Sequence, residues 1–189
     1  MLSALPLIIA ASFAFEPPLE EDGRPTFLAA LQQAPSVVVA EVVETHDLEG
    51  EPVEEATITQ VLKGAPGVNR VLYRTSSCSC LSELQKAKAG TPVLLLLSPG
   101  TDVRERRSFW QALDKVARPG EFFDLSWGPL GRLLPDGDGF VETGLPLPDS
   151  LPARTSGGSR GTRERRLVAF DVLVAWIQDR LAASEEPLR

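Results

Sequence analysis

The chain is a series of short apolar runs cut by turn residues, and the period of each run sets the element it predicts. Residues 36–44 (SVVVAEVVE) are β-branched and nearly continuous in valine, the pattern of a strand buried over most of both faces. Residues 56–62 return as a second strand, with Ala56, Ile58 and Leu62 on one face and Thr57, Thr59 and Val61 on the other. The intervening THDLEGEPVEE, with Gly50 and Pro52, reads as an acidic hairpin loop. After the turn KGAPG, residues 68–75 alternate imperfectly, with Arg70 and Arg74 on the face of Leu72. Ser82 opens a short helix, with Gln85 at capping-box spacing and Gly90 just past its end. Residues 91–98 hold five consecutive apolar positions and stop at Pro99-Gly100.

The flanks follow the same logic. Thr26 caps a helix over 27–33, with Phe27, Leu28 and Leu31 on one side, and Ala34-Pro35 ends it. This helix is expected to plug one end of the core. Residues 101–120 form an insertion in which Phe109, Trp110, Leu113 and Val116 recur at helical spacing. Residues 122–127 and 132–134 read as short strands, and PDGDG followed by 140–143 as a hairpin. The Pro-, then Gly- and Ser-rich stretch 145–162 is expected to be a flexible loop. A C-terminal helix is predicted over 163–182 from Leu167, Phe170, Val174, Ile177 and Leu181. The order strand, strand, strand, helix, strand is that of the OB-fold, a five-stranded, partly open barrel. The expectation is a mainly β protein: an OB-like Greek-key barrel over 26–144, a short hairpin, and the C-terminal helix packed on the barrel.

Composition narrows the function. The hydrophobic fraction of 43% with 24% charged residues is that of a globular chain. A net charge of −7 disfavours a polyanionic partner, because phosphate binding draws on clustered Lys and Arg. Tyr73 is the only aromatic residue in the first four strands, so the stacking platform for single-stranded nucleic acid is missing. Residues 1–14 are uncharged and apolar, but shorter than the roughly 20 residues a membrane-spanning helix needs. Ser12 and Ala14 place small residues at the −3 and −1 positions of a cleavage site, and EPPLEEDGRP follows. These features predict a signal peptide over 1–14, a mobile leader over 15–25, export to the periplasm or beyond, and no integral span after cleavage.

The runs VVVAEVV, ATITQVLKG, VLYRT with a nearby Cys, and AGTPVLLLL resemble exported bacterial proteins with a netrin-like, or tissue-inhibitor-of-metalloproteinase-like, domain. The matching positions are 37–43, 59–64, 71–78 and 90–97, and DLSWGPLGRLLPDGDGFV resembles a Gly-rich hairpin found before the last helix of such proteins. The resemblance implies an OB-type barrel. It does not carry protease inhibition across, because the inhibitors chelate zinc through an amino-terminal Cys-x-Cys, whereas Cys78 and Cys80 are internal.

Those two cysteines are the chain's only ones. In an oxidising compartment they pair or bridge to another chain, and a bridge two positions apart closes a small, strained loop. Strained disulfides are labile, which makes a thiol–disulfide role the alternative to a structural staple. With the lone His46 they make only a weak metal signal, and His46 reads as a solvated hairpin residue without a visible acid–base partner. Arg154, Arg160, Arg163, Arg165 and Arg166 form a basic cluster; Arg160, Arg163, Arg165 and Arg166 are the candidate contacts for an anionic partner. No G-x-S-x-G elbow or HExxH motif occurs, and no cofactor is implied. The function expected from sequence is a non-enzymatic module that binds a protein partner or small ligand.

Overall fold

A computed structural model describes residues 26–75, 87–100, 107–156 and 165–185. The predicted signal peptide and leader, residues 82–86 of the helix expected after Ser82, Cys78, Cys80, Arg160 and Arg163 lie outside those residues; the end of that expected helix, 87–89, is not helical, and of Arg165 only the backbone is described.

Helix α1 (Phe27–Gln33) starts where the Thr26 hydroxyl accepts the Ala29 amide at 3.2 Å. Strands β1 (Ser36–Leu48) and β2 (Glu51–Lys63) form one long antiparallel hairpin. They meet at a two-residue turn, Glu49-Gly50, with φ of 56° and 79°. Two successive positive φ values are what a tight hairpin needs, and glycine supplies the second without steric cost. The Asp47 carboxylate accepts the Gly50 amide at 2.8 Å and fixes the turn. The acidic loop expected between the strands is thus mostly ladder.

Strand β3 (Arg70–Arg74) pairs with β2, and β4 (Pro92–Pro99) returns antiparallel to β1. Helix α2 (Arg107–Leu113) follows, and then β5 (Phe122–Leu125) inserts parallel to β3 and antiparallel to β4. The pairings β1-β2-β3-β5-β4-β1 close a five-stranded ring. A 3-10 turn (Gly128–Gly131) leads into β6 (Arg132–Leu133), which adds to β4.

A second sheet has the order β7 (Phe140–Glu142), β9 (Arg165–Ala169), β8 (Arg154–Ser156), and β9 runs into helix α3 (Phe170–Glu185). Two expectations change here. The C-terminal helix begins at Phe170 rather than 163, because Leu167 is paired on both sides, to Glu142 and to Arg154, which holds that stretch extended. The stretch 145–156 is not a flexible loop: Leu145, Leu147 and Leu151 are buried, and it ends in β8.

The ring explains why β1 and β4 are apolar on both faces. Val38, Val42, Val71, Leu95 and Leu97 fill the interior. Val37, Val39, Leu94 and Leu96 point outward onto Phe27 and Leu31 of α1 and Leu173 and Ile177 of α3. Helix α1 therefore covers the outer wall rather than plugging an end. On another part of the outer surface Leu48, Val53 and Leu72 pack under Phe109 and Leu113 of α2. The molecule is mainly β, with a closed sheet and a C-terminal helix.

Candidate functional site

Three chemically distinct regions stand on this frame. The first begins with a backbone irregularity. In an unbroken strand Val38, Ala40, Val42, Glu44 and His46 would all share the interior face, since side chains alternate with period two. The register of β1 against β2 slips between Val42 and Glu44, leaving Val43 as an extra, exposed residue. That one-residue bulge turns Glu44, His46 and Leu48 to the outer face. Glu44 now stands directly across from Glu55. The His46 Nε2 lies 3.1 Å from Glu55 Oε2 and 3.3 Å from Glu44 Oε1.

Glu55 is held from its other side. Its Oε1 accepts from the Arg70 guanidinium at 3.2 Å, and Arg70 in turn reaches Glu121 Oε2 at 2.8 Å and the Val116 carbonyl at 2.5 Å. Burial disfavours charge on both partners. For Arg70 the bonds to Glu121 and Glu55 outweigh burial and hold its pKa above the ordinary value. For Glu121 the Arg118 amide at 2.8 Å and the Arg70 guanidinium outweigh it and hold the carboxyl below the usual range. A cleft of about 400 Å³ opens beside this chain of charges, lined by Val68, Asn69, Arg70, Arg118, Pro119 and Glu121.

The second region lies inside the ring. Glu54 is 2% exposed, and its carboxylate takes two bonds from Arg132, at 2.8 and 2.5 Å, and one from the Tyr73 hydroxyl at 2.7 Å. A buried ion pair of this kind gains little net stability over apolar residues, but losing one partner costs about 3–5 kcal/mol. Its geometry ties β2, β3 and β6 together, which is a structural role.

The third region is a cleft of about 620 Å³ at the end of the ring where β1 begins and β4 ends. Pro35, Pro66, Leu97, Pro99, Trp110 and Phe122 line it, together with Gly100 and Gly120. Trp110 and Phe122 meet edge to face, centroids 5.4 Å apart at 83°, and Phe109 packs edge-on against both at 5.6 and 6.0 Å. Gly100 has a steric reason: a Cβ there would sit 2.6 Å from the Phe122 ring. The volume falls within the roughly 300–1,000 Å³ of small-molecule sites, and the lining is mostly apolar, as such sites are.

The residues singled out from sequence fare unevenly. Cys78, Cys80, Arg160 and Arg163 lie outside the described residues. Arg166 is turned inward, donating to the Leu147 and Leu151 carbonyls at 2.8 and 3.1 Å, with Asp149 at 3.3 Å. It secures the 147–151 segment to β9. His46 is not a solvated loop residue: it sits within the ladder, largely covered, with two carboxylates on one nitrogen. Glu55, Arg70 and Glu121 escape sequence reading because they come together only through pairing between strands. Trp110 and Phe122 escape it because a helix and a strand must pack before they form a wall.

Among the described residues no helix is long and apolar enough to cross a membrane. No family model matches the chain, and no curated protein is similar to it.

Proposed function

We propose that this protein is an exported, non-enzymatic binding module of the OB/netrin-like type, whose apolar cleft at the end of the ring takes a protein segment or small ligand. The strand order β1-β2-β3-β5-β4, with β3 and β5 parallel, supports the OB reading, and the apolar runs in 37–43 and 90–97 support the netrin-like one. The observation that carries the binding role is the cleft itself: about 620 Å³, walled by Trp110, Phe122 and three prolines. Aromatic and proline walls offer large apolar area and lose little conformational freedom when covered, which favours binding.

Photo-crosslinking in the producing cell tests this. With p-benzoylphenylalanine at position 110, irradiation yields one discrete adduct on protein recovered from the exported fraction with a mature terminus at Phe15. The same group at position 60, on the exposed part of β2, yields none. Absence of an adduct at 110, or the same adduct from both positions, overturns the cleft as the binding surface. Recovery of only the unprocessed chain overturns export.

A further inference from the structure

We propose that Glu44, His46 and Glu55 form a site for one divalent first-row transition cation, zinc being the best fit, on the outer face of the β1–β2 hairpin. The site is separate from the apolar cleft and does not rest on it.

The donor atoms of the three side chains lie within 4.8 Å of one another. Zinc holds nitrogen and oxygen donors at about 2.0–2.2 Å in a tetrahedron, which sets neighbouring donors about 3.3–3.5 Å apart. The two separations from His46 Nε2, 3.1 and 3.3 Å, are close to that edge length. Imidazole with two carboxylates is a ligand set that zinc accepts, and three protein donors leave a fourth position for water or a partner's donor.

Three further observations point the same way. Glu44 and Glu55 are directly opposite each other across the ladder, an arrangement that like charges disfavour. A cation between them reverses the sign of that interaction. The local charge is also unbalanced: Glu44, Glu55 and Glu121 against Arg70 and Arg118 leave −1 with the imidazole uncounted, which favours a cation. Arg70, anchored by Glu121, holds Glu55 by the oxygen that does not face His46, so the other oxygen is oriented before any ion arrives. Carboxylates held this way by an outer partner are typical around metal ligands. Glu44, with a side chain 60% exposed, is the arm free to adjust.

An imidazolium bridging the two carboxylates would give the same short contacts, and zinc titration separates the two. Calorimetry of the full exported chain with Zn²⁺, and the visible spectrum with Co²⁺, are measured for the wild type and for a Cys78→Ser/Cys80→Ser variant. Both are expected to bind one equivalent with equal affinity and to gain thermal stability from zinc. His46→Gln and Glu44→Gln are each expected to weaken binding at least about tenfold and to abolish the thermal gain. Glu44→Gln alters an exposed side chain and keeps the test valid if His46→Gln fails to fold. No saturable zinc binding by the wild type, unchanged affinity in Glu44→Gln, or loss of binding in the cysteine variant overturns the site.

Discussion

Tyr73 is the only tyrosine in the chain, and it is fully buried inside the ring. Its hydroxyl donates to Glu54 at 2.7 Å. Burial first, and then the charge of Glu54, push its ionisation far above the ordinary value of 10.0, with Arg132 opposing only in part. Because the folded pKa is raised, the native state keeps a proton that the unfolded chain releases above pH 10.0. The stabilisation from this group is therefore complete below that pH and is lost as pH rises past it. A single phenol makes the readout clean. Folded protein at about pH 11 should show no phenolate absorbance, since an unperturbed tyrosine titrates near 10. The signal should appear only together with loss of the far-ultraviolet strand signature. Phenolate forming while the strands persist would mean that Tyr73 does not lie in the interior.

At the scale of elements, β1 decides both the fold and the candidate metal site. Its first half was legible in the sequence: nearly continuous valine over 37–43 marks a strand covered on both sides, and the ring with its outer helices supplies both covers. Its second half was not, because Thr45, His46 and Asp47 are polar and read as loop until β2 is seen pairing with them. The bulge at Val43 has no sequence signature either, since valine is as good a regular strand residue as a bulged one. The same limit applied at β9, where pairing on both edges outweighed a pattern that also fits a helix. Giving Val43 a partner tests the argument about faces. With one alanine inserted between Glu55 and Ala56 the ladder has no extra residue, and Glu44 and His46 should turn into the apolar interior, costing more than about 3 kcal/mol in urea unfolding for the buried charge. Zinc binding should be lost with it. Deleting Val43 instead leaves Glu44 directly after Val42 and opposite Glu55, on the outer face, and should keep zinc binding. An insertion variant of wild-type stability that still binds zinc would show that the bulge does not set which way these side chains point.

At the scale of the whole molecule, the wall formed by β1 and β4 is shared between two compartments, so the interior of the ring and the layer of helices should not unfold separately. Leu94 and Leu96 face the helices while Leu95 and Leu97 face the interior, and they alternate along one backbone. Removing α3 would expose one face of the strand whose other face seals the ring. Ile177 is fully buried in this layer, within the same cluster as Leu94, Leu96 and Phe27. Ile177→Ala should cost about 2–5 kcal/mol, the range for deleting a buried branched side chain. The decisive feature is cooperativity rather than magnitude. Tyr73 reports the interior, and Trp176 reports α3 through its contact with Phe27 at 6.3 Å. In a variant that keeps Trp176 as its only tryptophan, the two probes should give coincident urea transitions before and after Ile177→Ala, as a single cooperative unit requires. Separated transitions would make α3 an appendage. The cleft, lined by Trp110 of α2 and by Pro35 just after α1, would then be held without α3.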